Sequence, residues 1–318
     1  MVPKRIAIIG AGPSGLAQLH AFENVRQTTH TDNFPEIVCY EKQENWGGLW
    51  NLTYRTGVDK YGDPLHNSMY RSLWSNAPKE AHEYPDYSFE QHLNGQIIPS
   101  YVPRSVFYDY IIARNTIKNI RKYIQFEMNI CWITYSDKIE KFKVAIKDRK
   151  NDQLIMETFD YVIVATGHFS TPNMPEFDGT ETFPGRILHS HDFRNAEEFI
   201  GQNILIIGNG YSGEDIALQC YKYGCKSVTI SYHKTPKNYK WPQCIKEVPS
   251  LERLSNKTAY FIDGTTESDI DSIILCTGYQ HYFPFMDDIL RLKTWNSLYP
   301  PGLYKGLFWL KQPKLIYL

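Results

Sequence analysis

No Cys-x-x-Cys pair occurs among the six cysteines of this 318-residue chain, Cys39, Cys131, Cys220, Cys225, Cys244 and Cys276. That spacing excludes a dithiol redox centre of the thioredoxin-reductase kind, and Cys220 and Cys225 lie too isolated to suggest zinc. Three of the six stand in or beside apolar strands and read as buried free thiols. An excess of one charge is missing as well: the net charge is −1 and no long run of one sign occurs. Nucleic acid is therefore not expected as an obligate partner. No stretch approaches twenty apolar residues, so no membrane span is expected. The segment before Gly10 is too short for a signal peptide, and the expectation is a cytoplasmic protein. His189 and His191 stand two apart, but no carboxylate or cysteine cluster supports them, so no metal is expected.

What the chain does have is length for two domains, 42% hydrophobic residues to build their cores, and 23 tyrosines. It opens on Ile6-Ala7-Ile8-Ile9 and then Gly10-Ala11-Gly12-Pro13-Ser14-Gly15. Four apolar residues in a row suit a strand buried on both faces of a parallel sheet. The first glycine of the turn permits the bend, the second lets a pyrophosphate reach the backbone, and the third lets the following helix pack close. That helix, from Ser14 to about Asn24, points its positive end at the phosphates. Taken alone, the pattern also fits a glycine-rich loop that binds nothing. A second strand over 36–40, ending at Glu41, supports the dinucleotide reading, because an acid there can accept hydrogen bonds from both ribose hydroxyls. Its distance from the glycines exceeds the usual spacing, and a polar insertion over 28–35 accounts for the excess.

The same construction recurs. A strand over 203–207 leads into Gly208-Asn209-Gly210-Tyr211-Ser212-Gly213, a helix over 214–223 and a strand over 227–232. His233 and Lys234 follow, with no acid. An acid would repel a 2′-phosphate and a base attracts it, so the first turn suits FAD and the second NADP(H). The alternative is that His233 and Lys234 are simply surface residues.

Between and beyond the turns the pattern is coarser. The paired glycines of Trp46-Gly47-Gly48-Leu49-Trp50 favour a loop held against something flat. Residues 52–67 read as irregular, 106–122 as a helix, and 124–130, 132–135, 142–147, 159–165 and 272–275 as strands. Thr166-Gly167-His168 leaves the first domain, 170–175 reads as a linker, and Cys276-Thr277-Gly278-Tyr279 repeats the pattern. The chain thus crosses twice, as it would if one domain were inserted in the other. Asn76, a neutral donor and acceptor beside aromatic residues, is either a site residue or a turn residue before Pro78.

These motifs together resemble the flavin-containing monooxygenases and, within that family, its bacterial trimethylamine-oxidising branch. The most specific match is Phe183-x-Gly185-x-x-x-His189-x-x-x-Phe193-Arg194, placed between the two glycine fingerprints. The Leu275–Tyr279 and Asn76–Glu80 runs resemble two further family segments. The resemblance implies an α/β protein with two Rossmann-like domains, the NADP domain (169–279) inserted in the FAD domain (1–168 and 280–318). It implies that NADPH reduces FAD and that oxygen forms a flavin C4a-hydroperoxide, which bound NADP+ protects. An amine then takes the distal oxygen, trimethylamine giving its N-oxide. Sulfides, indole or other amines are alternative substrates. A peroxide-leaking NADPH oxidase and a nucleotide-binding scaffold without oxygenase activity are the alternative readings.

By position, the resemblance assigns Gly10, Gly12, Ser14, Gly15, Glu41, Gln43, Leu49, Trp50 and His66 to FAD. It sets Asn76 between flavin and NADP, with Trp74 and Ser75 beside it. Gly208, Gly210, Tyr211, Ser212, Gly213, His233 and Lys234 would hold NADP, with Tyr211 also lining the substrate side. Asn76 and Tyr211 are the catalytic candidates, and His189 a structural residue at the domain junction. Family members often carry arginine for the 2′-phosphate; here Lys234 must supply most of the charge. They also continue well beyond this length, so the expectation is that the FAD domain is incomplete here. A homodimer is the assembly that the resemblance implies.

Overall fold

The computed structural model describes residues 3–29, 33–294 and 300–318. Met1, Val2 and part of the insertion expected at 28–35 lie outside the described residues. The chain begins with β1 (Arg5–Ile9), α1 (Pro13–Thr28) and β2 (Glu36–Glu41), a unit whose strands pair in parallel with Ile6 opposite Ile37. α1 runs past Asn24 because its polar end is anchored. Buried Glu23 accepts from Arg26 Nε (2.9 Å), Gln27 Nε2 (2.9 Å), Lys122 Nζ (3.1 Å) and the Tyr123 hydroxyl.

A short helix, α2 (Phe89–His92), precedes α3 (Arg104–Ile117). The expected helix over 106–122 ends early because Asn119 takes a left-handed φ of 51°, which an asparagine tolerates, and residues 120–123 form a separate tight turn. β3 (Ile124–Phe126) then joins the first sheet beside β2. β4 (Met128–Ser136), β5 (Lys141–Asp148) and β6 (Gln153–Phe159) form an antiparallel sheet of their own. The expected break at Cys131 is instead a bulge within β4, and the true break falls at Glu127, with φ 59°. The single strand expected over 159–165 is divided at Asp160 between β6 and β7 (Tyr161–Val164). The Asp160 carboxylate accepts from Lys4, Lys141 and the Arg5 N–H, which fixes the corner.

The intervening chain contains β8 (Thr171–Pro172), β9 (Arg186–His189), β10 (Asn203–Ile207), α4 (Tyr211–Lys222), β11 (Ser227–Ser231) and β12 (Ile245–Val248). β13 (Leu251–Ser255), β14 (Thr258–Phe261) and β15 (Thr266–Glu267) make a meander, followed by β16 (Ser272–Leu275) and β17 (Tyr279–Gln280). β18 (Leu303–Tyr304), β19 (Phe308–Trp309) and β20 (Leu315–Tyr317) come last. The first sheet has the order β18-β19-β20-β7-β1-β2-β3, and the second, wholly parallel, β12-β11-β10-β16-β9. β20 pairs in parallel with β7, so the first sheet is completed only after the second has been built.

The apolar strand runs follow from burial on both faces. Ile6 and Ile8 pack with Leu16 and Leu19 of α1, whereas Ala7 and Ile9 pack with Phe142 and Val144 of the antiparallel layer. The second unit repeats this: Ile204 and Ile206 face Ile216 and Ala217 of α4, and Leu205 and Ile207 face Leu251 and Phe261 of the meander. The two crossings lie side by side. β8 pairs with β17, and Asn173 spends four polar groups on the opposite strand. Its N–H donates to Gly278 O (2.9 Å), its carbonyl accepts from Thr277 Oγ1 (2.6 Å), its Nδ2 donates to Thr277 O (3.2 Å), and its Oδ1 accepts from Gln280 Nε2 (3.2 Å). Among the described residues, no helix is long and apolar enough to cross a membrane.

Candidate functional site

The first glycine turn is built to bring backbone close to a ligand. Gly10 has φ +102°, and a Cβ there would sit 2.6 Å from Ala165 O. A Cβ at Gly15 would sit 2.0 Å from Gly10 O, so only glycine lets α1 pack against β1. Gly12 is the N-cap of α1 and has no side chain to satisfy the helix's first N–H groups, which leaves them for an anion. The loop at 47–50 closes over the turn. Gly47 N–H donates to Ala11 O (2.9 Å), and a Cβ at Gly48 would lie 2.9 Å from Gly12 Cα. Arg104, at the start of α3, fixes the loop by donating to Trp50 O (2.6 Å), while the Trp50 ring meets Phe107 edge-on at 4.4 Å.

Glu41, at the end of β2, is buried and aims both carboxylate oxygens inward. Oε2 accepts from Ala11 N–H (2.7 Å) and Oε1 from Gln43 N–H (2.8 Å). Burial still raises its carboxyl above the ordinary range, against the pull of those bonds. Gln43 Nε2 donates to His66 O (3.3 Å), and burial pushes the His66 imidazole down to about 4, so it is neutral at neutral pH. Gly10, Gly12, Ser14, Glu41, Gln43, Leu49, Trp50 and His66 all line one cavity of about 810 Å³. That volume lies at the large end of small-molecule sites, ~300–1,000 Å³. Gly15 acts from behind, through packing. The sequence reading missed the wall formed by 128–131, Tyr282 and Phe285. These residues belong to the antiparallel layer and the returning chain and carry no motif. The Thr166-Gly167-His168 wall could have been found, since its glycine marks where β7 ends.

The second turn has the same backbone in different surroundings. Gly208 has φ +105°, with a Cβ 2.4 Å from Cys276 O, and a Cβ at Gly213 would sit 2.1 Å from Gly208 O. Gly210 is an uncapped helix N-cap like Gly12, and Ser212 lies in the first turn of α4. Among the described residues no loop covers this turn: a Cβ at Gly210 would meet nothing within 4 Å, and Tyr211 is 73% exposed. Asn209 Nδ2 donates to Thr235 O (2.9 Å), which ties the turn to the segment beyond β11. His233 and Lys234 stand exposed on that segment, and Lys237 pairs with Glu214 of α4 (2.9 Å).

Trp74, Ser75 and Asn76 do not line the cavity. Ser75 is buried, its N–H donating to Val102 O (2.8 Å) and its Oγ accepting from Val102 N–H (3.0 Å). Trp74 and Asn76 on either side are exposed. The Phe183–Arg194 motif proves to be a clasp. The buried Arg194 guanidinium donates to the carbonyls of His191 (2.6 Å), Phe193 (3.0 Å), Arg55 (2.9 Å) and Asn67 (3.1 Å). His191 bridges Leu65 O (3.1 Å) and Asp192 Oδ1 (2.8 Å). The motif thereby pins the loop that carries Leu65 and His66 to the cavity. His189 is buried, accepts from His191 N–H at Nδ1 (3.0 Å) and meets Tyr279 edge-on; burial lowers its imidazole to about 4.

Known proteins share this arrangement. A family model described as flavin-binding monooxygenase-like matches residues 3–237 and 242–316. The trimethylamine monooxygenase of Methylocella silvestris is 58% identical over 314 residues, covering 99% of this chain and 69% of that protein. The crystal structure of Tmm from Pelagibacter sp. strain HTCC7211 superposes with a TM-score of 0.95 at 54% identity, covering 99% of this chain and 70% of that one. The S-allyl-L-cysteine S-oxygenase of Allium sativum superposes with a TM-score of 0.84 at 27% identity, over the whole of this chain and 72% of that one. With its two uncapped glycine turns and a match along nearly its whole length, the chain belongs to the flavin-binding monooxygenase-like family.

Proposed function

We propose that this protein N-oxygenates trimethylamine to trimethylamine N-oxide, using FAD, NADPH and O2. The observation that carries the substrate is the 58% identity, over 99% of the chain, to a protein known as trimethylamine monooxygenase. The first cavity fits FAD: uncapped helix N–H groups offer an anion site, Glu41 offers acceptors, and the void is large. FAD reduced by NADPH supplies the activated oxygen, so the chain itself needs no strong acid or base.

The chain's own task is to hold, orient and shield. Gly12, Ser14 and the N-terminus of α1 would carry the FAD pyrophosphate under Leu49 and Trp50, with Gly10 and Gly15 shaping the turn. Glu41 would accept from ribose hydroxyls through the lone pairs its backbone bonds leave free, and Gln43 and His66 would complete the wall. Gly208, Gly210, Ser212 and Gly213 would present α4 to NADP, with His233 and Lys234 beside the 2′-phosphate. Asn76 would lie between the cofactors, with Trp74 and Ser75 holding its segment, and Tyr211 on the substrate side. Residues 1–168 and 280–318 would form the FAD domain and 169–279 the NADP domain, in a homodimer. Incubation with NADPH, trimethylamine and oxygen-18-labelled dioxygen tests the reading. The expected result is labelled trimethylamine N-oxide in proportion to NADPH used; peroxide without labelled product would establish an oxidase instead.

A further inference from the structure

A short strap of chain connects α4, the helix behind the second glycine turn, to Asn76. Residues 70–72 cross α4 and are bonded to one of its faces. Buried Tyr70 donates its hydroxyl to Asp215. Gln219 Nε2 donates to Ser72 O (2.9 Å), and the Ser72 and Tyr223 hydroxyls lie 3.3 Å apart. Asp215, Gln219 and Tyr223 recur every four residues and so share one stripe of the helix. The Arg71 N–H donates to Arg194 O (2.9 Å), which ties the strap to the clasp as well. The strap then passes to the first unit. Leu73 O accepts from Arg104 N–H (2.9 Å), and Ser75 is held by its two bonds to Val102. Asn76 follows directly.

We propose that Asp215 and Gln219 are positioning residues: through Tyr70 and Ser72 they hold residues 74–76 in register with the NADP helix. The inference rests on the role given to Asn76 above. A polar face suits such a role better than simple packing. An apolar pair would fill the space beneath Tyr70 without the desolvation penalty of a buried carboxylate and phenol, but would not specify the strap's register. Burial raises both the Asp215 carboxyl and the Tyr70 phenol, while the hydrogen bond between them pulls the carboxyl back down. α4 is a single rigid element from its glycine N-cap to Lys222, so a dinucleotide seated on that cap and the strap share one support.

Three variants test this: Asp215→Ala, which removes the acceptor, Asp215→Asn, which keeps one, and Gln219→Leu. Amide exchange over 71–76 is measured in the protein without cofactors. The share of NADPH converted to oxygenated product is measured in the holoenzyme. Asp215→Ala and Gln219→Leu are expected to speed exchange at least tenfold and to lower the coupled share at least threefold, with KM for NADPH within twofold. Asp215→Asn is expected to keep both properties of the unaltered protein. Unchanged exchange in both Asp215→Ala and Gln219→Leu overturns the proposal, as does equal uncoupling in Asp215→Asn and Asp215→Ala. Asn76→Ala separates the two layers of reasoning. If Asn76→Ala uncouples and the strap variants do not, the strap inference alone fails; if Asn76→Ala leaves coupling intact, the role of Asn76 fails and the inference with it.

Discussion

The two glycine turns are nearly superimposable in backbone and opposite in setting. Gly12 and Gly210 cap their helices at φ −76°, ψ −176° and φ −77°, ψ −175°. Gly10 and Gly208 share a φ near +100°, and Gly15 and Gly213 leave the same narrow gap to a carbonyl. Yet one turn is roofed by residues 47–50 and faces a buried acid, while the other has no such roof among the described residues and is tied through Asn209 to the segment that carries exposed His233 and Lys234. Strand-turn-helix geometry makes a phosphate site locally, from six residues. What decides how firmly a dinucleotide is kept, and which one, comes from chain far away in sequence.

The comparison is broken most severely at the third glycine of each turn. Gly15→Ala places a methyl 2.0 Å from a backbone oxygen that cannot move aside, and Gly213→Ala does so at 2.1 Å. Gly15→Ala is expected to yield protein without flavin absorbance. Gly213→Ala is expected to retain flavin but to lose reduction by NADPH at least tenfold; loss of flavin in both would show that the turns are not independent.

Acid should act at the clasp, where His189 ends β9. The His189 imidazole falls from an ordinary 6.5 to about 4 on burial, so it folds neutral. Its stability contribution is complete above pH 6.5, where both states are neutral, and is lost as pH falls from 6.5 towards 4, where the unfolded chain takes up the proton first. The whole shift is worth roughly 3 kcal/mol at most. Urea unfolding at pH 7 and pH 5 should therefore show a stability loss that His189→Gln reduces, the remainder falling to His66, whose imidazole is also lowered to about 4; a loss in the variant equal to that of the unaltered protein assigns the acid sensitivity elsewhere. The smallest effect belongs to the open side. Lys234→Ala should raise KM for NADPH about tenfold, roughly 1.4 kcal/mol, and leave KM for NADH unchanged. An equal change for both cofactors would remove Lys234 from the 2′-phosphate.

Much of this was legible where physics is local. Apolar quartets marked β1 and β10 because both faces are covered, and positive-φ glycines marked the turns. Glu41 was legible because the end of the second strand in such a unit faces the cavity. The meander β13–β15 and strand β6 went unread. Leu154 and Met156 of β6 are apolar yet exposed, which hides the alternation that marks a half-buried strand. Cys131 is exposed, at the bulge in β4, whereas Cys39, Cys220, Cys225 and Cys276 are buried. The clasp could be recognised by its residues but not understood. Nothing in Phe193-Arg194 says that the guanidinium will collect the distant carbonyls of Arg55 and Asn67 as well as two from its own stretch, since that depends on a loop fixed only in three dimensions.

The four-way bonding of Asn173 has a consequence for the architecture as a module. The chain enters and leaves the second sheet at strands that lie against each other, so the two cut ends are about one strand spacing apart, ~5 Å. Adjoining ends let the second sheet be built between β7 and β20 without moving those two strands apart. The first sheet thus closes around a chain that departs and returns at one place, and the clasp and the strap fasten what lies between Asn173 and Gly278 to it.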